Sequence, residues 1–340
     1  MAINRQVRTR KVLVTGANGF IGRALCGRLL EHGYEVYAVV RKLSEPIEGI
    51  TYLVADLESP DDLSIEGLGI DCVIHLAGRA HVLGERNGSA VERYRAANCD
   101  ATVCMARLAI AAGVERFIFV SSIGVNGAET GENAFDERSS VTPHADYAVS
   151  KYEAELKIDS IFKESSVSLV IVRPPLVYDA AAPGNFARLL RLVSTGLPLP
   201  FACINNKRSM VSLRNLIAFL EVCISHPGLV KETFVISDGE DVSTPKLIEL
   251  LREGMGSRAR LFPVPRRWAL LVAKCIGRKS LYTQLFCSLR VDSSKAQKVL
   301  GWQPEENTHD ALVRVGRRWL DGGATDGKML MVNKSGPKKG

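Results

Sequence analysis

The chain has 340 residues, 46% of them hydrophobic and 24% charged, which suits a globular protein of one large domain or two and excludes a fibrous or low-complexity chain. Its net charge of +7 sits at the ends: Arg5, Arg8, Arg10 and Lys11 at the start and Lys328, Lys334, Lys338 and Lys339 in the last fourteen residues contribute +4 each with no acid, so the body between them sums to −1. That distribution argues against a nucleic-acid partner and leaves the two ends as solvated tails.

In chain order, the first half alternates short β-branched runs with helical stretches. Strands are predicted at 11–15 (KVLVT), 35–40 (EVYAVV), 51–55 (TYLVA), 72–77 (CVIHLA), 116–121 (RFIFVS) and 168–172 (SLVIV), with a seventh at 233–237 (TFVIS). Each run is almost wholly apolar, as in parallel strands covered on both faces. Helices are expected at 20–32 and 90–112, stopping at Gly33 and Gly113. This alternation predicts an α/β fold, a doubly wound parallel sheet of seven strands.

After Pro174 the pattern changes. Residues 174–208 are rich in Pro, Gly, Asn and Arg, with one helix near 185–195, and residues 244–320 read as mostly helical with a proline-punctuated link at 263–265. The expected division is a sheet domain of 1–175 plus about 209–243, a smaller and mostly helical lobe of 176–208 plus 244–321, and a disordered tail of 322–340. The run "WALLVAKCIG" at 268–277 is too short for a membrane span and is broken by Lys274, leaving at most a peripheral contact. The basic start runs straight into "KVLVTG", with no secretory pattern. Eight scattered cysteines without a C-x-x-C pair predict reduced, mostly buried thiols in a cytoplasmic protein.

Three patterns carry chemistry. "VTGANGFIGRAL" places Gly16, Gly19 and Gly22, with Phe20 and Ile21 between them, directly after the first strand and at the start of a helix. Glycines there let the backbone turn and approach a pyrophosphate, which the helix N-terminal amides then hold. After the second strand, where a dinucleotide fold carries an acid for the ribose hydroxyls, this chain has Arg41 and Lys42. A guanidinium at that place can grip a 2′-phosphate, which favours NADP(H) over NAD(H); the plain alternative is a solvent-facing basic pair. Asp56, after the third strand, is placed to accept a hydrogen bond from an adenine amino group. In "DYAVSKYEAE" (146–155), Tyr147 and Lys151 stand four apart, on one face of a helix. A free tyrosine keeps its proton to about pH 10, and a nearby ammonium favours the phenolate. Taken alone, the pair also fits a solvated helix that happens to carry a lysine.

Together these residues resemble the extended short-chain dehydrogenase/reductase family, which contains UDP-galactose 4-epimerase and dTDP-glucose 4,6-dehydratase, over most of the chain from residue 11 to 320. "TGANGFIG" is similar to its phosphate loop, "ADL" with Asp56 and Leu57 to its adenine motif, and "HLAG" with Leu76, Ala77 and Gly78 to its fourth-strand motif. "AANCDAT" places Asn98 at the family's asparagine, which is read here as supporting local structure beside the cofactor. "SSIGVNG" places Ser121 beside the cofactor and Ser122 in the catalytic position, "YAVSK" supplies the tyrosine and lysine, and "LGWQPE" at 300–305 resembles the C-terminal signature. The resemblance implies a Rossmann domain with a nucleotide-sugar lobe. It makes Tyr147 the general acid/base, Lys151 the group that lowers the tyrosine pKa and holds the nicotinamide ribose, and Ser122 the hydrogen-bond partner of the substrate oxygen. Pro174 would line the cofactor, and Asn126, Asn185 and Arg208 would face the sugar nucleotide. His75 and His81 read as structural, with no metal spacing.

Departures narrow the expectation. Ile123 and Gly124 follow Ser122 where the dehydratases carry an Asp-Glu pair, so elimination of water is not expected. In "RPPLVYD", Leu176 and Asp179 replace the family's asparagine and glycine. The phrases "AGRAHV" (77–82) and "GLPLPFACINNKRSMVSLRNL" (196–216) resemble bacterial surface-polysaccharide (lipopolysaccharide O-antigen) enzymes, especially 4-reductases that make UDP-N-acetylquinovosamine. A 4-epimerase with retained NAD uses the same catalytic residues, and a non-catalytic NADP(H)-binding sensor is the rival of another class. The partner implied is a UDP-sugar, with no nucleic acid, no transmembrane segment and a homodimer paired through the helices near 90–112 and at Tyr147.

Overall fold

The fold was analysed in a computed structural model, which describes residues 9–59, 63–79, 89–265, 267, 268, 270 and 279–323. Residues 1–8 and 324–340, His81 and most of the apolar run at 268–277, including Lys274 and Cys275, lie outside the described residues. Arg10 and Lys11, expected in a solvated tail, are instead tied to the sheet domain, Arg10 through the Ile224 carbonyl (3.2 Å) and Lys11 in the first strand beside Glu35 (3.3 Å), and residues 322–323 end the last helix. In chain order the elements are β1 (Lys11–Thr15), α1 (Phe20–Glu31), β2 (Glu35–Val40), β3 (Ile50–Val54), β4 (Cys72–His75), α2 (Ser89–Arg95), a π-helical turn (Ala96–Asp100) and α3 (Ala101–Ala111). There follow β5 (Arg116–Val120), α4 (Asp146–Phe162), β6 (Ser168–Arg173), β7 (Leu176–Tyr178), α5 (Gly184–Ser194), β8 (Met210–Ser212), α6 (Leu213–Ser225) and β9 (Lys231–Val235). The chain closes with α7 (Thr244–Gly254), α8 (Lys279–Phe286), α9 (Ser294–Leu300) and α10 (Thr308–Gly323).

Seven strands form one parallel sheet in the order β3-β2-β1-β4-β5-β6-β9. Alternate residues of β1 feed the two faces: Val12 and Val14 pack with α1 and α6, and Leu13 packs with α3 and α4. Burial on both sides is why the strands read as continuous apolar runs. A third core joins α5, α7 and α10 through Leu190, Leu251 and Leu312, beside a two-stranded sheet of β7 and β8. Those two strands have three residues each, too short to show a period in sequence. Among the described residues no helix is long and apolar enough to cross a membrane.

Two boundaries differ from expectation for a physical reason. The strand expected over 72–77 ends at His75, because the amides of Leu76 and Ala77 leave the ladder to donate to Thr15 Oγ1 (3.2 and 3.1 Å). The helix expected over 90–112 forms as one continuous helical run from 89 to 111, but it carries a π turn between α2 and α3, with Asn98 buried inside the turn. Such turns interrupt helices most often at functional sites. The described cysteines are free thiols; Cys26, Cys72, Cys99, Cys223 and Cys287 are buried, whereas Cys203 is exposed.

Candidate active site

Sheet order reverses between β1 and β4, and there a cleft of about 470 Å³ opens beyond the strand C-terminal ends. This is the crevice in which doubly wound sheets bind ligands. Gly16, Gly19, Arg41, Asp56, Leu57, Leu76, Ala77 and Gly78 line it. Gly16 has φ +67°, and a Cβ on it would stand 2.9 Å from the Ala77 amide nitrogen. A Cβ on Gly22 would collide with the Gly16 carbonyl oxygen. The loop is therefore closed to side chains by the backbone behind it. Gly19 opens α1 without a side-chain cap, and the first turn holds no acid. Uncapped amides at the positive end of a helix fit a pyrophosphate. The side chains of Phe20 and Ile21 pack into the core, so what they offer the cleft is backbone.

Arg41 stands at the cleft rim with its side chain 62% exposed, 3.8 Å from Glu58, and Glu58 also lies 3.5 Å from Arg79. An exposed guanidinium held by one weak pair can turn to a phosphate. Asp56 accepts from the Glu58 amide (3.0 Å), which shapes the turn after β3. Neither Glu58 nor Arg79 was singled out in the sequence, because their meeting depends on where the loops after β3 and β4 land.

Behind the cleft runs a directed hydrogen-bond chain. Thr15 Oγ1, already accepting from Leu76 and Ala77, lies 2.9 Å from His75 Nδ1, while His75 Nε2 lies 3.0 Å from Thr102 Oγ1. Thr102 in turn donates to the Asn98 carbonyl (2.7 Å), so its oxygen must accept from the histidine. This assigns the Nε2–H tautomer, with Thr15 donating to Nδ1. Burial, and secondarily Lys151, brings the His75 pKa down to about 3, so the ring is neutral. His75 is thus a structural link between β1, β4 and the π turn.

Asn98 uses both amide hydrogens within the protein, toward the Arg79 carbonyl (3.1 Å) and Ser150 Oγ (2.9 Å), and its oxygen accepts from the Arg79 amide (2.7 Å). It positions the Gly78–Arg79 loop against α4. Gly78 has no room for a larger residue, since a Cβ would meet Asn98 Oδ1 at 2.8 Å and Lys151 Nζ at 3.3 Å.

Ser122, Tyr147 and Lys151 converge beside this loop. Ser122 follows β5, begins a 3-10 turn and accepts from the Gly124 amide (3.1 Å). Its hydroxyl stands by Tyr147, from the first turn of α4, and acts to lower the phenol's pKa. Lys151, one helical turn on, is buried and donates to the Val120 carbonyl (3.0 Å), with its ammonium 4.6 Å from the Phe119 ring centre. Burial pushes the Tyr147 pKa up to about 12, against the opposing effect of Ser122. Burial brings Lys151 down to about 8, which Glu155 partly counteracts. Lys151 is not among the groups that shift Tyr147 here; the direction is set by burial, with Tyr94 adding to it. The neighbouring Ser121 hydroxyl is buried without a hydrogen-bond partner among the described residues, and Pro174 accepts from the Ile123 amide (3.0 Å).

A buried ion pair braces the site from below. Arg173, at the end of β6, meets both oxygens of Glu155 (3.0 and 2.5 Å) and donates to Asn126 Oδ1 (3.2 Å). Asn126 is fully buried and also donates to the Ser139 carbonyl, so its side chain is turned into this network and not toward the cleft. Glu155 was legible as the position four beyond Lys151 on the same helix face; its partner was not.

In the lobe, Asn185 at the start of α5 donates to Gln284 (2.6 Å) and accepts from Arg188 (3.2 Å). Arg208 is directed at the carbonyls of Thr283 (3.4 Å) and Cys287 (3.0 Å), and burial lowers its pKa. Among the described residues it has no carboxylate within ion-pair distance.

The chain matches the NAD dependent epimerase/dehydratase family over residues 12–236, and it belongs to that family. A protein of Vibrio cholerae described as a UDP-glucose 4-epimerase is 36% identical over 314 residues, 92% of this chain and 96% of that one. Two solved structures share the fold. One is MoeE5 in complex with UDP-glucose and NAD (TM-score 0.72, 23% identity, 92% of this chain and 99% of that one). The other is a UDP-N-acetylglucosamine 4-epimerase from Bacillus cereus (TM-score 0.74, 19% identity, 92% and 99%).

Proposed function

We propose that the protein is an NAD(P)H-dependent oxidoreductase that reduces a nucleotide-linked 4-keto sugar, UDP-4-keto-6-deoxy-N-acetylglucosamine, to UDP-N-acetylquinovosamine in O-antigen synthesis. The observation that carries the reading is the meeting of Ser122, Tyr147 and Lys151 beside the glycine-built cleft. The nicotinamide supplies the hydride when bound. Tyr147, protonated at neutral pH, gives its proton to the C4 oxygen while Ser122 holds that oxygen. The Lys151 ammonium offsets the phenolate that remains and reaches the ribose hydroxyls. Arg208, charged and without a carboxylate partner among the described residues, suits the substrate diphosphate, and Asn185 the sugar side of the lobe. Arg41 and Lys42 at the rim support NADP(H) over NAD(H).

This reading divides the chain into a cofactor domain of 1–175 plus about 209–243 and a nucleotide-sugar lobe of 176–208 plus 244–321. It also pairs two copies through α2, α3 and α4, where Val91, Val149 and Leu156 are exposed; light scattering showing a monomer at micromolar concentration would remove the dimer from it.

A second reading, a 4-epimerase that keeps its NAD, is favoured by the Vibrio cholerae relative. One experiment separates the two: assay the purified protein for retained nicotinamide, then follow NADPH or NADH absorbance with the keto sugar present. Oxidation of added cofactor in step with sugar reduction is expected. Interconversion of UDP-glucose- and UDP-galactose-type sugars with no cofactor consumed would put the epimerase in its place. Cofactor bound without turnover on any of these sugars would overturn both.

A further inference from the structure

We propose that the lobe carries a face that docks on an anionic lipid surface. Residues 180–220 contain five basic side chains and no acid, and residues 254–291 contain eight and no acid. Arg214 and Arg290 are paired with Glu305 and Asp241 and Arg208 is given to the substrate, whereas Arg191, Arg258, Arg260 and Arg267 are exposed. Residues 199–202 and 260–262 of these stretches lie side by side. Leu199 donates to the Arg260 carbonyl (2.8 Å), Phe262 to the Leu199 carbonyl (3.0 Å) and Ala202 to the Phe262 carbonyl (3.2 Å). The Arg252 guanidinium reaches back to the Val193 carbonyl (3.1 Å).

The strap at 258–262 is extended, and its side chains alternate. Ala259 and Leu261 pack on the third core, while Arg258, Arg260 and Phe262 face outward. Leu197, two residues before the bonded Leu199, and Phe262 are 63% and 43% exposed. Trp268, whose amide donates to the Pro265 carbonyl (3.0 Å), is 59% exposed, Leu192 on α5 is 40% exposed, and Arg191 and Arg267 are exposed. Glu253, the acid nearest in sequence, lies 3.9 Å from His309.

Aromatic and leucine side chains rimmed by arginines match the boundary between lipid headgroups and acyl chains. There the apolar tips insert, and the guanidinium groups meet negative headgroups. A nucleic acid or other polyanion would use the arginines and leave the leucines and aromatics in water, so the mixed face favours lipid. The contact is superficial, because among the described residues no helix can span a bilayer. The inference is independent of the reaction assigned to the cleft.

The test is flotation of the full chain with vesicles of phosphatidylcholine alone and of phosphatidylcholine with phosphatidylglycerol, alongside tryptophan fluorescence. The protein should float with the anionic vesicles, and its emission should shift to the blue as Trp268 leaves water. A variant carrying Arg258→Glu and Arg260→Glu should bind at least roughly 25-fold more weakly, about five-fold for each basic side chain lost. A variant carrying Leu197→Ser and Phe262→Ser should lose flotation and shift, with circular dichroism as the check on folding. Failure of the wild type to float, equal flotation with both vesicle types, or wild-type flotation of the apolar variant would each overturn the proposal. Heparin retention unchanged in the apolar variant, without vesicle binding, would assign the face to a polyanion. Loss of a dimer in that variant, again without vesicle binding, would assign it to a second copy.

Discussion

Replacing Lys151 by methionine is expected to make the fold more stable at neutral pH. The side chain is 3% exposed, and burial brings its pKa from 10.5 to about 8. That drop corresponds to about 3 kcal/mol of unfavourable free energy for carrying the charge into the folded state. Because the folded pKa lies below the unfolded one, the penalty is fully present below pH 8 and fades as pH rises toward 10.5. Methionine removes the charge but also the bond to the Val120 carbonyl, a loss of about 1 kcal/mol. At pH 7 the variant should therefore be the more stable by about 2 kcal/mol, and above pH 10.5 the wild type by about 1 kcal/mol. Urea midpoints of the cofactor-free proteins at pH 7 and pH 10 read this directly, since titration of every other group cancels in the difference. A gap between the two proteins that stays constant over that range, or a wild type already ahead at pH 7, would refute the account of Lys151 as a charge held at a cost for function.

Other outcomes follow from the same geometry. Tyr147→Phe should keep cofactor affinity and slow turnover by about 100- to 10,000-fold, and a normal rate would end its assignment as the acid. Ser122→Ala should lower turnover with little change in cofactor binding, measured by fluorescence titration of NADPH. Arg41→Asp should reverse a preference for NADP(H); a wild type that binds NAD(H) equally well or better contradicts that role. Glu155→Gln leaves the buried Arg173 guanidinium without its counter-charge and should cost about 3–5 kcal/mol in urea denaturation; a loss below 1 kcal/mol would mean that water or another group takes the place of the carboxylate.

The parts of this protein that its sequence determines are those with local causes. A strand covered on both faces must be apolar at successive positions, so KVLVT, EVYAVV and RFIFV announce themselves, and their alternation with helices is enough for a parallel sheet. Gly22 is legible because a Cβ there would meet the Gly16 carbonyl of its own loop, and Gly16 because its φ of +67° favours glycine; the Ala77 backbone that also excludes a Cβ at Gly16 comes from the fold. The four-residue spacing of Tyr147 and Lys151 is likewise a property of the helix alone. Tertiary structure decided what depends on distant neighbours. Arg173 meets Glu155 and Asn126 across separations of 18 and 47 residues, and this pairing takes Asn126 away from the cleft. His75 is neutral because it is buried beside Lys151, and its tautomer is fixed because Thr15 and Thr102 converge on it from β1 and α3. Burial pushes the Tyr147 pKa up, and sequence spacing carries no measure of that, because desolvation is set by packing from several elements at once.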